Sequence, residues 1–283
     1  MNQPLEFVRP FDPALITTLL LDADDNLFPS EAPAFDASAE VTTRFLARFD
    51  VSAPLSGDEL RKKAVGKNFR STATDLAVLS GVPFEKALAD GRPDAVLASD
   101  RDVASGRALT ADELEQWVRQ ERERVTAHLA VTLKPDPEVL EPLQALASRY
   151  AMAAVSSSAL ARLKASFTAA GLDPLIPVEL RFSAEDSLPV PTSKPDPAVY
   201  MHAGRVLGVE AHQGLAVEDS VPGVKSAVAA GYLTVGNVMF VPPDERRHRT
   251  AELIDAGAVA ITDSWRALAD ALMLSTVTGG GSR

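Results

Sequence analysis

The segment Ile16-Thr17-Thr18-Leu19-Leu20-Leu21-Asp22-Ala23-Asp24-Asp25-Asn26-Leu27-Phe28 decides the fold, because an apolar run there stops abruptly at acids. Ile16 to Leu21 predicts a buried strand. In a parallel α/β sheet, ligands gather at the carboxyl ends of the strands, so Asp22 and Asp24, two residues apart, can serve one site. Taken alone the segment also fits an acidic turn, and the rest of the chain has to choose between the two.

With 283 residues and a 46% apolar share, the chain can bury a large core or a core domain with a smaller companion. Its formal net charge is −11, from 39 acids and 28 bases, and the bases form no block. This argues against nucleic acid or an anionic membrane surface as the main partner. Cysteine is absent, which excludes disulfides, thiolate catalysis and Cys-ligated metals, and the expected location is the cytoplasm. The first ten residues have no basic-then-apolar leader, and no apolar run approaches the length of a membrane span. His128, His202, His212 and His248 lack metal-ligand spacing.

After the first strand the pattern turns helical for roughly a hundred residues, which predicts an inserted helical unit. Helices are expected from about Ser30 to Phe49, after the Ser56-Gly57-Asp58-Glu59 capping pattern, from Phe69 to Leu79, and after Thr110-Ala111-Asp112-Glu113. The last of these carries Leu114, Trp117, Val118, Val125 and Leu129 on one face. Ala89 to Leu109 reads as a long loop or an added short helix. From Leu140 onward strand and helix alternate: strands at Tyr150–Val155, Val178–Phe182, Leu215–Val217, Thr234–Val238 and Ala258–Ile261, with helices between them and a closing helix at Trp265–Met273. Asp196 and Pro197 are expected to open one of these helices. The expected architecture is a doubly wound parallel-sheet α/β core (1–28 and 138–276) with an inserted α-helical domain (29–137) and a flexible tail (277–283).

Strand ends or the loops after them present, in order, Asp22 with Asp24, Ser156, Lys194, and Glu218 with Asp219. Singly, Lys194 reads as a surface lysine and Ser156 as a helix cap; together at successive strand ends they read as one site. Four carboxylates on one side of a site repel unless a cation sits among them, and oxygen-only ligation suits Mg²⁺. A phosphoryl group is the substrate that needs all the remaining parts: a metal and a lysine for its oxygens, a hydroxyl donor, and a helix N-terminus.

These four segments resemble the motifs of the haloacid dehalogenase-like hydrolase superfamily, in the phosphatase and phosphomutase branch with a helical cap inserted after the first core strand. Asp22-Ala23-Asp24-Asp25-Asn26-Leu27 is similar to its first motif, Val155-Ser156-Ser157 to its second, Lys194-Pro195-Asp196-Pro197 to its third, and Val217-Glu218-Asp219-Ser220-Val221-Pro222-Gly223 to its fourth. The resemblance implies a Rossmann-like core. It also implies that Asp22 is a nucleophile forming an aspartyl-phosphate, and that Asp24 is general acid and then general base. Ser156 would hydrogen-bond the transferring group and Lys194 would balance its charge. Mg²⁺ would be held by the Asp22 side chain, the Asp24 backbone carbonyl and Asp219, with Glu218 adjacent directly or through water. Ser157 is expected to contact substrate, and by resemblance to capped relatives Lys67, Asn68 and Arg70, at the turn after Gly66, either face the pocket and read the leaving group or, as basic residues on a helical surface do, face water. An acid at position 24 favours phosphate-ester chemistry over dehalogenation. The chain departs from the family at Asn26, where Thr or Val is usual, and the expected result is altered loop packing with activity retained.

The function expected on this basis is Mg²⁺-dependent hydrolysis of a small phosphorylated metabolite, a sugar or polyol phosphate being favoured, by a monomer or homodimer. A phosphomutase of the beta-phosphoglucomutase type uses the same core residues, and a catalytically silent binding module is the alternative from another class.

Overall fold

The computed structural model describes residues 5–52, 54–64 and 68–274. The chain divides into two compact units, one formed by the described residues within Met1–Ser30 and Leu133–Arg283, the other by those within Glu31–Thr132. Among the described residues no helix is long and apolar enough to cross a membrane.

The first unit opens with β1 (Glu6–Phe7) and β2 (Thr18–Leu21). After the inserted segment it continues with α7 (Pro137–Ala147), β5 (Ala151–Ser156), α8 (Leu160–Ala169), β6 (Arg181–Ser183), α9 (Ala198–Leu207) and β7 (Gly214–Glu218). It closes with α10 (Val221–Ala229), β8 (Leu233–Asn237), α11 (Arg246–Ala256), β9 (Ala260–Thr262) and α12 (Trp265–Leu274). Seven strands form one sheet in the order β1-β9-β8-β7-β2-β5-β6. β2 lies between β5 and β7, parallel to both, and all four of its residues are buried. A strand covered on both faces has no alternation to show, which is why Leu19-Leu20-Leu21 is a continuous apolar run. From β2 the chain builds outward to β5 and β6, then returns to the other side for β7, β8 and β9. The order therefore reverses beside β2, and the carboxyl ends of β2, β5 and β7 flank the crevice where such sheets hold ligands.

The sheet is mostly parallel, and β1 is the exception: it pairs antiparallel with β9, Glu6 opposite Ile261. Two residues are too short a run to show a period, so this edge strand has no signature in the sequence. The strand expected from Val178 starts later. Val178–Leu180 is a 3₁₀ turn with Leu180 N donating to Pro177 O, and pairing begins at Arg181 opposite Ala154. Pro177 fixes the turn ahead of the strand. The buried Arg181 secures this edge: its guanidinium donates to Ile176 O at 2.7 and 2.9 Å, pairs with Asp173 Oδ1 at 2.5 Å, and lies 4.2 Å over the Phe167 ring.

The second unit contains α1 (Glu31–Ala47), α2 (Gly57–Lys63), α3 (Phe69–Leu79), β3 (Pro83–Phe84), α4 (Lys86–Ala89), β4 (Val96–Leu97), α5 (Asp100–Ala104) and α6 (Ala111–Thr132). Ser56 and Glu59 form a reciprocal capping box on α2, and Thr110 Oγ1 accepts from Glu113 N at the start of α6. Phe45, Leu46, Ala73, Ala77, Val82, Phe84, Leu109 and Leu114 form its apolar centre, with Trp117 edge-on to Phe45. The stretch Ala89–Leu109 is more regular than expected. It carries β4, which pairs parallel with β3 through Pro83–Val96 and Phe84–Leu97, and the capped helix α5. The inserted unit is thus helical with a two-stranded ribbon added.

Candidate active site

The sheet register brings the acids together. Leu21 lies opposite Val217, so Asp22 leaves β2 level with Glu218 on β7, and Asp22 N donates to Val217 O at 3.0 Å. The chain then turns tightly: Leu27 N donates to Ala23 O, Asp25 N to Phe28 O, and Asp25 adopts a left-handed φ of 52°. Asp tolerates this region better than most residues with a side chain. The buried Asn26 fastens the turn. Its Nδ2 donates to Asp22 O (2.8 Å) and Val217 O (3.1 Å), while its Oδ1 accepts from Asn237 Nδ2 (2.9 Å). Its backbone carbonyl accepts from Trp265 Nε1 (2.9 Å). Neither Thr nor Val could make this set, so the departure at position 26 is a packing solution in which β8 and α12 take part.

Lys194 reaches into the acids from the loop before α9. Its Nζ donates to Asp22 Oδ1 (2.5 Å), Glu218 Oε1 (2.6 Å) and Val155 O (2.7 Å), and lies 5.3 Å from the centre of the Tyr200 ring. Tyr200 Oη donates to the same Glu218 oxygen at 2.5 Å. Glu218 is fully buried, and its Oε2, packed beside Gly223, has no hydrogen-bond partner among the described residues. Asp22, Glu218 and Asp219 each present an oxygen within 4.8 Å of the others. Burial raises all three above the ordinary carboxylate range, more than Lys194 offsets, and repulsion from neighbouring acids adds to it at Asp22 and Asp219. The same acids hold Lys194 above the ordinary lysine value, against its own burial. Fully ionised, three carboxylates facing one ammonium would carry two uncompensated negative charges, an imbalance that opposes their joint ionisation and that a divalent cation would relieve in this all-oxygen cluster.

Asp24 is placed differently. Its Oδ1 accepts from Ser30 Oγ (2.6 Å) and Arg162 Nη2 (3.1 Å), and its Oδ2 from Ser158 Oγ (2.6 Å). Burial alone would raise this carboxyl, but the Arg162 charge and the two hydroxyl donors outweigh it and hold the group below its ordinary value. Asp24 therefore has its own counter-charge in Arg162, although its charge still adds to the repulsion on Asp22. Ser156, buried at the end of β5, accepts from Ser158 N at 3.0 Å and keeps its hydroxyl proton to give. Ser157 Oγ accepts from Lys194 N at 3.0 Å and so steadies the lysine loop.

The residues read from the sequence as substrate contacts in the inserted unit are engaged locally. Asn68 caps α3, its Oδ1 accepting from Ser71 N at 3.0 Å, and Arg70 forms an ion pair with Glu115. Lys67 lies outside the described residues. Sequence reasoning missed Ser30, Ser158, Arg162, Tyr200, Asn237 and Trp265. Ser158 and Arg162 are four residues apart at the start of a helix, a spacing that could have suggested a shared target. The others reach the site only through the tertiary fold.

Residues 16–231 match the family model of the haloacid dehalogenase-like hydrolases. The chain belongs to this family, and is a hydrolase by that membership. It is 29% identical over 195 residues to the validoxylamine A 7'-phosphate phosphatase of Streptomyces hygroscopicus subsp. limoneus, covering 68% of this chain and 84% of that one. Among solved structures it is similar to a HAD family hydrolase from Deinococcus radiodurans R1 with bound phosphate and sodium, with a TM-score of 0.61 and 22% identity over 95% of this chain and 100% of the other. A putative beta-phosphoglucomutase from Thermotoga maritima gives a TM-score of 0.61 and 20% identity over 92% and 99%. These two structural likenesses speak for the fold.

Proposed function

We propose that the protein is a phosphatase that hydrolyses a small phosphorylated metabolite, a sugar or polyol phosphate, through an aspartyl-phosphate on Asp22 with Mg²⁺ as its cation. The observation that carries this reading is the charge balance at the strand ends, where Asp22, Glu218 and Asp219 outnumber Lys194. A phosphoryl dianion could not enter such a cluster unless a cation entered too. Asp22, Asp219 and the Asp24 carbonyl would hold the ion, with Glu218 alongside, and the ion would supply Lewis-acid stabilisation of the phosphoryl oxygens.

Asp22 attacks phosphorus with the oxygen not engaged by Lys194, and the bond to the ester oxygen breaks. Asp24 gives its proton to that oxygen. Water then attacks the aspartyl-phosphate, Asp24 takes the proton, and inorganic phosphate leaves with Asp22 restored. In the resting site Asp24 favours its ionised form, which suits the second step; the arriving phosphoryl charge opposes it and favours uptake of the proton needed for the first. The Ser156 hydroxyl donates to a phosphoryl oxygen, and Ser157 acts through Lys194 and its loop. In this reading the inserted unit is the cap and selects the leaving group, with Lys67, Asn68 and Arg70 the residues to vary. The phosphatase activity of the 29% identical relative supports hydrolysis over phosphoryl transfer within one sugar.

The test is phosphate release from a panel of phosphorylated metabolites with Mg²⁺, with EDTA, and with Asp22→Asn. Release that needs the metal and falls at least about 10³-fold in the variant is expected. An isomeric sugar phosphate formed without free phosphate would replace the reading with a phosphomutase.

A further inference from the structure

Arg162 lies outside every motif that the sequence singles out, yet among the described residues it is the cation paired with Asp24. It projects from the first turn of α8, its side chain is about a quarter exposed at 27%, and its buried Nε has no partner among the described residues. Its Nη2 donates to Asp24 Oδ1 at 3.1 Å. An ionised carboxylate offers about four lone-pair positions, two on each oxygen. Ser30 and Arg162 fill both positions on Oδ1, and Ser158 fills one on Oδ2. Among the described residues' contacts a single position is left over, on Oδ2.

Resting on the phosphatase reading above, we propose that Arg162 is a positioning residue which, with Ser30, occupies Oδ1 of Asp24 and leaves Oδ2 as the atom that carries the proton in both half-reactions. In the first, Asp22 bonds to phosphorus, the phosphorus–ester oxygen bond breaks, and the electron pair left on the ester oxygen takes the proton from Oδ2. In the second, the oxygen of water bonds to phosphorus, the Asp22–phosphorus bond breaks, and the water proton passes to Oδ2. A planar guanidinium locks the rotation of the carboxylate in a way an ammonium only partly reproduces.

Leaving groups that do and do not need a proton separate this role from a merely structural one. Nitrophenolate departs without protonation, whereas an alkoxide does not, and kcat/KM reports the step up to the aspartyl-phosphate. With Arg162→Met, kcat/KM for glycerol 2-phosphate is expected to fall about 30-fold, a partial loss of the roughly 10²–10⁴-fold that general acid catalysis contributes, and that for p-nitrophenyl phosphate by less than about 3-fold. Arg162→Lys is expected to recover part of the loss on the alkyl ester, and it carries the same comparison should the Met variant fail to fold. Equal losses on the two esters, or none on either, overturn the proposal. Crystals of wild type and variant supply a readout that needs no turnover: one Asp24 carboxylate orientation in wild type and more than one in the variant is expected. An unchanged single orientation in the variant overturns the role of Arg162. If wild type releases phosphate from neither ester while the crystals behave as expected, the phosphatase reading fails and the positioning of Asp24 stands.

Discussion

Asn26 is the residue whose role could least be guessed from the chain. The motif resemblance marks it as a departure, and the physics of burial explains it: a fully buried amide has to satisfy its donors and its acceptor, and here it does so on Asp22, Val217 and Asn237. Asn26→Ala leaves Asn237 short of a good acceptor, removes the side-chain donor from the Asp22 carbonyl and leaves the Val217 carbonyl with Asp22 N alone, and is expected to lower stability by about 2–3 kcal/mol, measured by urea denaturation. Asn26→Asp is expected to cost more, because it sets a carboxylate oxygen against two carbonyl oxygens. If the two variants denature alike, the amide is not the fastening group. By contrast Asp22, Asp24, Ser156, Lys194, Glu218 and Asp219 were legible as candidates, since each lies at the end of a strand or in the loop after it. The partners that fix their geometry were not. Ser30, Arg162, Tyr200, Asn237 and Trp265 come from elements whose sequence periodicity reports burial and carries no information about which polar group they meet.

Among the elements, α10 depends on one close approach. A Cβ added at Gly223 would fall 1.7 Å from Glu218 Oε2, so the first turn of the helix lies directly against the buried carboxylate. Gly223→Ala is expected to push Glu218 off Lys194 and Tyr200, lowering phosphatase activity at least about 10-fold and stability by about 2 kcal/mol, as overpacking does. Activity assays and denaturation of the variant check both effects. At the β6 edge the Asp173–Arg181 pair should show in the response to acid. Asp173 is held below its ordinary value of 3.8, through Arg181 and Thr168 and against its burial, so its contribution is fully present above that pH and is lost as the pH falls through the lower folded-state value. Denaturation of wild type and Asp173→Asn should therefore differ modestly at pH 7, the partly exposed carboxylate being screened, and converge in strong acid. A gap that persists in acid would assign the effect to something other than this ionisation. The longer elements were readable because their spacing repeats over several turns or because a buried strand reads as an unbroken apolar run. β1, β3 and β4 have two residues each and no repeat to read.

For the whole molecule, the unbalanced acids couple stability to cation binding. A ligand that binds the folded chain alone stabilises it by about 2.7 kcal/mol at a hundred times its dissociation constant. Mg²⁺ is therefore expected to raise the melting temperature by about 5–10 °C, with the increase lost on EDTA addition and in Asp219→Asn. A melting temperature indifferent to Mg²⁺ would remove the cation from the proposed reaction. The strand order has a consequence of another kind, for the making of the protein. β2 lies inside the sheet, yet its neighbours β5 and β7 begin only at Ala151 and Gly214. During synthesis on the ribosome, at about 5–20 residues per second, Leu19-Leu20-Leu21 would wait on the order of ten seconds for its first partner. The nascent chain thus carries its most apolar strand unpaired through nearly half of its translation, and the demand on chaperones falls there, before any catalytic group has been assembled.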